Sequence, residues 1–345
     1  MQEIALVQGL LNPDIYPHET DAIRLIETHC AWVILTGTHA YKIKKAVNFG
    51  FLDFSTLEKR RFYCEEELRL NRRFAADIYQ AVVSISGSPD SPRINGDGTI
   101  IEYAVRMRQF PDNCLLSELA SREALETAHI DQLVDTVSNF HRHTDKVDSD
   151  SLLGNPENIH HWVQENFQHI QPLLGPGDDP DIPEELRQWS DISYARLTRV
   201  MHKRKLAGAV RECHGDLHLG NITLIDGHVT PFDCIEFNPE LRWIDVFSEI
   251  AFVLMDLDVH ELPRLAHRFL NGYLQASGDY AGLAELGYYR VYRAMVRAKV
   301  AILRREQTQS SSSDFEQANA EYCQYLQLAL QYTARPRPVM VIMRG

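Results

Sequence analysis

No part of this 345-residue chain is apolar for long. Runs such as Trp32–Leu35 and Ile250–Met255 end within a few residues, whereas a bilayer-spanning helix needs about 20. The N-terminus carries Glu3 and no basic-then-apolar leader, so secretion is not expected. Cysteine is sparse: Cys30, Cys64, Cys114, Cys213, Cys234 and Cys323 include no C-x-x-C pair. That pattern argues against a disulfide framework or a zinc site and suits reduced thiols in the cytoplasm. Positive charge is also short. A formal net charge of −13 speaks against a general nucleic-acid binder, which needs a basic surface to neutralise phosphates. What remains is ordinary for a globular chain, 44% hydrophobic and 24% charged, and long enough for two lobes with cores of their own.

The first hundred residues read as α+β. Ala31–Leu35 and Ala40–Lys45 are strand-like and joined by a turn at Thr36–His39. Ser55-Thr56-Leu57-Glu58 has the form of a capping box, placing Ser55 at the head of a helix that runs to about Phe74. Ala81–Ile85 and Thr99–Arg106 are strand-like again, separated by a turn-rich Gly-Ser-Pro-Asp-Ser-Pro stretch. From about residue 115 the periodicity is helical, over roughly 122–143, 157–173, 184–206, 244–275, 280–306 and 315–332. One hairpin interrupts it, Ile222–Ile225 and His228–Phe232 around Asp226-Gly227. Ser310–Ser313 reads as a loop between helices. A small mixed lobe over 1–107 and a larger, mainly helical lobe over 108–335, holding the hairpin, fit a protein-kinase-like bilobal fold with the nucleotide between the lobes.

The most specific stretch is His214-Gly215-Asp216-Leu217-His218-Leu219-Gly220-Asn221, followed beyond the hairpin by Phe232-Asp233. Kinase-type phosphoryl transfer needs these parts in this order. One carboxylate accepts the proton of the acceptor hydroxyl, and an Asn and a second carboxylate hold Mg²⁺ on the nucleotide phosphates. Asp216 is therefore the candidate base and His214 a catalytic-loop residue that bonds backbone; Asn221 and Asp233 are candidate magnesium ligands. Turn residues around a hairpin would not need that spacing. Binuclear metallophosphoesterases also use Gly-Asp-x-His, but with an Asn-His pair and an upstream Asp-x-His; here Ile222 follows Asn221 and no suitable Asp-x-His precedes.

Lys42 and Lys44 share a face of their strand, and a lysine so placed reaches nucleotide phosphates as a point charge. Lys42 is preferred. Glu67, on the helix side continued by Leu70 and Phe74, is chosen over Glu65 and Glu66 as the lysine's partner, the alternative being a solvated acidic face. Ile101–Met107 reads as the strand entering the hinge, where backbone around Tyr103 and Val105 would bond the adenine edge. Asp245 either braces the catalytic loop or caps a helix. Arg290, Arg293, Arg297 and Arg304 ride a helix apolar on two sides, so structural ion pairs are expected there over substrate contacts.

At His214–Asn221 and Phe232-Asp233 the chain resembles the aminoglycoside phosphotransferase and choline kinase group. With Ala40–Lys45 and Phe49–Phe54 included, it is similar over nearly its whole length to a bacterial branch of predicted kinases often fused to a P-loop kinase domain. The resemblance implies a protein-kinase-like fold and an ATP- and Mg²⁺-dependent phosphotransferase acting on a hydroxyl of a small molecule. It implies Asp216 as base, Asn221 and Asp233 on magnesium, and Lys42 on the nucleotide. Two departures stand out. No G-x-G-x-x-G loop precedes the lysine strand, the corresponding Glu27-Thr28-His29-Cys30 having no glycine at all. And 336–345, with Arg337-Pro338-Val339-Met340-Val341-Ile342-Met343-Arg344-Gly345, resembles the opening strand of a P-loop domain, so a P-loop kinase in cis or in trans is a possible partner. A nucleotide-binding regulatory module for such a partner is the alternative function. No APE-type signature follows Asp233, which sets protein kinases aside, and nothing in 144–210 names the acceptor.

Overall fold

The computed structural model describes residues 2–50, 52–308 and 312–334. Its first elements are α1 (Gln2–Leu10), β1 (Arg24–Glu27), β2 (Ala31–Leu35), β3 (His39–Lys44), α2 (Leu57–Ala75), β4 (Tyr79–Ser88), β5 (Ser91–Ile94) and β6 (Ile100–Arg108). Then come α3 (Leu116–Ser121), α4 (Thr127–His143), α5 (Pro156–Ile170), α6 (Asp181–Leu206), β7 (Val210–Glu212), β8 (Ile222–Ile225) and β9 (His228–Pro231). The last are α7 (Pro239–Arg242), β10 (Trp243–Asp245), α8 (Val246–Val259), α9 (Pro263–Ser277), α10 (Leu283–Glu306) and α11 (Ser313–Thr333). The chain divides into two compact units. One joins the stretch up to Thr136 to His214–Arg242; the other joins Val137–Cys213 to the chain from Trp243 on. The His214–Asp233 block thus groups with the N-terminal sheet, with α3 and with the first turns of α4.

The first unit is built on an antiparallel sheet in the order β1-β2-β3-β6-β4-β5. Alternation along β3 sorts its side chains between the two faces. Tyr41 and Ile43 join Ile34, Val83, Ile85 and Ala104 in a buried cluster with Leu6, Val7 and Leu10 of α1. On the other face Ala40, Val105 and Met107 meet Cys64 and Ala75 of α2. Each large apolar side chain so buried stabilises by about 1.5–3 kcal/mol. Lys42 and Lys44 point to the α2 face, and everything below depends on that register. The β2–β3 turn closes through the Thr36 hydroxyl, which donates to His39 O at 2.8 Å, with Gly37 at φ 96°, a region side chains disfavour.

Details of this unit differ from the sequence expectation. Thr56, not Ser55, caps α2, its hydroxyl accepting from Lys59 N–H at 3.3 Å. Ser55 is engaged by Asp53, whose Oδ1 accepts from the Ser55 N–H at 3.0 Å and the hydroxyl at 2.6 Å. β1 was not anticipated because all four of its residues are exposed and show no alternation. β5 lies inside the turn-rich stretch and pairs with β4 around Gly87, at φ 100°.

The second unit is mainly helical. α8 has no exposed face from Val246 to Leu257, every residue there being buried, Ser248, Glu249 and Asp256 included. The single helix expected over 244–275 is instead α8 and α9, parted where Glu261 takes φ 58° and Pro263, lacking an N–H, starts a new helix. The helix expected over 122–143 begins at Thr127 as α4, because Glu123 at φ 56° sits in the turn between α3 and α4. Asp245 caps α8, accepting from Phe247 N–H at 2.8 Å, and also pairs with Arg204 at 2.8 Å. On α10, Arg290 pairs with Asp258 at 3.1 Å and Arg304 with Glu321 at 2.7 Å, while Arg293 donates to Ser248 O and Arg297 to the Tyr325 hydroxyl. Among the described residues no helix is long and apolar enough to cross a membrane. The expected P-loop-like strand in 336–345 lies outside the described residues.

Candidate active site

The catalytic-loop residues are positioned by backbone constraints within the first unit. Gly215 has φ 91°, and a Cβ there would lie 2.9 Å from Leu241 O, so the sharp turn between His214 and Asp216 requires glycine. His214 is fully buried. Its Nε2–H donates to Phe232 O at 2.8 Å and its Nδ1 accepts the Asp216 N–H at 3.3 Å. A carbonyl can only accept, which fixes the tautomer. Burial keeps this imidazole neutral, pushing its pKa down to about 4. His214 thus ties the loop carrying Asp216 to the strand end that carries Asp233.

A 3-10 turn at Leu219–Asn221 brings Asn221 back onto Asp216. The Asn221 Nδ2 donates to Asp216 Oδ2 at 2.9 Å and to Asp216 O at 3.0 Å. That orientation directs the amide oxygen away from Asp216. His218 Nδ1 accepts from Gly220 N–H at 3.1 Å, and its Nε2 stands 3.5 Å from Asp216 Oδ2. The β8–β9 hairpin turns at Asp226 and Gly227, with φ 51° and 80°, and its outgoing strand delivers Asp233. Asp233 itself takes φ 65°. A non-glycine residue held there is costly, by roughly 1–3 kcal/mol, and such strain gathers at functional sites. Its N–H donates to the Tyr79 hydroxyl at 3.1 Å, and the next N–H, that of Cys234, donates to Asn71 Oδ1 at 2.8 Å.

Asp233 meets the lysine strand. Lys42 Nζ lies 2.5 Å from Asp233 Oδ1 and 2.9 Å from Glu67 Oε1. Lys44 Nζ lies 2.7 Å from Glu67 Oε2 and also contacts Glu236, with its ammonium over the Phe54 ring at 4.8 Å. The Lys42 and Asp233 side chains are 14% and 40% exposed, Lys44 and Glu67 only 1% and 0%. Burial would lower the Lys42 pKa, but Asp233, Glu67 and Glu236 raise it well above an ordinary lysine. Against the same burial, Lys42 and Lys44 hold the Glu67 carboxyl down at about 2. Glu236 goes the other way: burial raises it in spite of Lys44. Two oxygen donors of the hard type magnesium prefers are present, the Asn221 amide beside Asp216 and the Asp233 carboxylate beside Lys42, so the residues fit that ion.

The structure thus brings Lys42, Glu67 and Asp233 together and locks Asp216 to Asn221. Tyr103 and Val105, expected to offer backbone to an adenine edge, lie inside β6, opposite Ser84 and Val82 of β4, with Val105 also opposite Lys42. The strand continues past them to Arg108. Lys44, grouped with Lys42 by the sequence, is enclosed by protein carboxylates. Sequence reasoning missed Glu236, Tyr79 and Asn71. A signal existed for Glu236: a Lys-x-Lys pair on one strand face calls for two counter-charges, and a second acid stands three positions after Asp233.

A curled antiparallel sheet, a helical unit and this constellation define a protein-kinase-like phosphotransferase fold. Among solved structures the chain is similar to amicoumacin kinase in complex with AMP-PNP, Ca²⁺ and Ami (13% identity, TM-score 0.56, covering 95% of this chain and 93% of that one). It is also similar to an ethanolamine kinase of Plasmodium vivax (8% identity, TM-score 0.52, 90% and 84%) and to a choline kinase of Streptococcus pneumoniae (10% identity, TM-score 0.52, 91% and 95%). The model of the phosphotransferase enzyme family matches residues 89–286, more than half of the chain. The chain belongs to that family. Uncharacterized proteins of Mycobacterium tuberculosis and Mycobacterium bovis are 30% identical over 281 residues, 81% of this chain and 54% of theirs. The chain therefore spans about half the length of these curated relatives.

Proposed function

We propose that this chain is an ATP- and Mg²⁺-dependent phosphotransferase that moves the γ-phosphoryl group to a hydroxyl of a small molecule. The observation that carries the reading is the meeting, within one compact unit, of Lys42 with Glu67 and Asp233 at 2.9 and 2.5 Å, with Asp216 and Asn221 locked together on the adjoining loop. Asp216 orients the acceptor hydroxyl and takes its proton as the new oxygen–phosphorus bond forms and the bond to the β-phosphate oxygen breaks, releasing ADP. Asn221 Oδ1 and Asp233 would hold Mg²⁺, which neutralises phosphate charge when bound. Lys42, kept protonated by its acids, exchanges its Asp233 contact for the phosphates. His214 keeps the two halves of the site in register. The named activities of the similar structures, on amicoumacin, ethanolamine and choline, favour a small hydroxyl-bearing acceptor. The free thiols of Cys64, Cys213 and Cys234 suit the ATP-rich, reducing cytoplasm.

The test is ATP consumption across aminoglycosides, amino alcohols, sugars and nucleosides, run beside Asp216→Ala. At least one acceptor is expected to raise turnover far above that variant. ATP binding with no acceptor-dependent turnover sinks the enzyme reading and favours the second one, a nucleotide-binding module for a P-loop kinase partner. That second reading is motivated by relatives about twice as long as the matched segment and by a β1–β2 turn, Thr28–Cys30, that offers no glycine to phosphates.

A further inference from the structure

The two lysines of β3 are held by one continuous row of charges, and its buried end lies outside the set of residues that phosphoryl transfer calls for. Glu67 gives one oxygen to each lysine: Oε1 to Lys42 at 2.9 Å and Oε2 to Lys44 at 2.7 Å. A carboxylate so shared cannot rotate without losing one ammonium. Lys44 is fixed from behind by Glu236, whose side chain is 7% exposed. The Glu236 backbone is itself pinned, its carbonyl accepting from Arg242 Nη1 at 3.1 Å. Signs alternate along the row: Glu236, Lys44, Glu67, Lys42, Asp233. Its two ends are three residues apart in one segment, so the stretch that delivers Asp233 to Lys42 also delivers Glu236 to Lys44.

We propose that Lys44 and Glu236 are positioning residues of the phosphotransferase: together they hold Glu67 so that Lys42 is aimed at the nucleotide phosphates. This rests on the phosphotransferase reading and reassigns Lys44, which meets protein carboxylates rather than nucleotide. The arrangement suits a chain whose β1–β2 turn has no glycine, because phosphate binding then leans on an accurately placed lysine. A structural ion pair alone would behave differently. Replacing both members of a buried pair with neutral residues of similar volume restores stability, because no charge is left uncompensated. A positioning pair stays broken after that replacement, because Glu67 has lost its second anchor.

The experiment compares the unaltered chain, Glu236→Gln, Lys44→Met and the double variant. Thermal midpoints are measured, with affinities for MgATP and for adenosine by competition against a fluorescent ATP analogue. The expected result is a double variant with a near-normal midpoint and unchanged adenosine affinity, whose MgATP affinity has fallen about tenfold, a loss confined to the phosphates that Lys42 meets. Should the double variant fail to fold, the near-isosteric Glu236→Gln is judged by the same contrast between MgATP and adenosine. MgATP affinity equal to that of the unaltered chain, or equal losses for MgATP and adenosine, overturns the positioning role and leaves the phosphotransferase reading intact. No MgATP binding by the unaltered chain overturns both.

Discussion

Asp216 and Asp233 are both aspartates of one unit, yet their surroundings differ, and under the proposed function so do their roles. Asp216 receives hydrogen bonds from Asn221, whereas Asp233 receives the Lys42 ammonium at 2.5 Å. Asp216→Asn keeps the shape but cannot take a proton. Turnover should fall roughly 10²–10⁴-fold, with MgATP affinity within about threefold of normal, because the loss is confined to the transition state. Affinity and turnover falling together would place Asp216 in nucleotide binding instead. Asp233→Asn keeps a residue that tolerates φ 65°, since Asn enters the left-handed region readily, but removes the charged oxygen. Its MgATP affinity should fall by about tenfold or more while affinity for ATP measured in EDTA is held, as expected of a charged ligand lost from a Mg²⁺ site. Equal losses with and without Mg²⁺ would count against a metal role for this carboxylate.

At the scale of elements, what was readable in the sequence is what short spacing encodes. The β8–β9 hairpin, with Asp226-Gly227 at its tip, fixes the separation of Asn221 from Asp233, so its part of the site could be seen before the fold. The pairing of Lys44 with Glu236 spans 192 positions and exists only because β3, α2 and the segment after β9 converge. The break at Glu261–Pro263 carried a visible proline, but apolar periodicity runs through α8 and α9 alike and masked it. The α2 cap is a finer case. Ser55 and Thr56 both fit an N-cap pattern, and the choice was made by Asp53, which engages Ser55 first. Thr56→Ala should therefore destabilise by about 1 kcal/mol and Ser55→Ala by a few tenths at most, read from denaturant midpoints at constant slope. The reverse order would restore the capping box at Ser55.

For the whole molecule, buried titratable groups set opposing demands on pH. His214 and His141 are held neutral by burial, with pKa values pushed down from 6.5 to about 4 and about 3. The folded state then binds fewer protons than the unfolded one below pH 6.5, so this stability is present above 6.5 and lost as pH falls toward 4 and 3. Each imidazole contributes a slope of about 1.4 kcal/mol per pH unit at most. Glu285 acts in the other direction. Burial first, and then the Asp245 charge, raise it from 4.5 to about 8; Arg204, 3.4 Å away, is shared with Asp245 and Asp279. Its contribution is full below 4.5 and is lost as pH rises toward 8, again by up to about 1.4 kcal/mol per unit. Between 4.5 and 6.5 the two imidazoles outweigh this one carboxyl; between 6.5 and 8 the carboxyl acts alone among the three. The summed contribution of these three groups therefore peaks near pH 6.5. His141→Gln should make only the acid side shallower, whereas Glu285→Gln should flatten the alkaline side and steepen the acid side, in unfolding midpoints taken from pH 4.5 to 8. An alkaline limb unchanged by Glu285→Gln would mean that Arg204 keeps Glu285 ionised in the folded chain, placing the balance of that four-residue cluster with the cation rather than with burial.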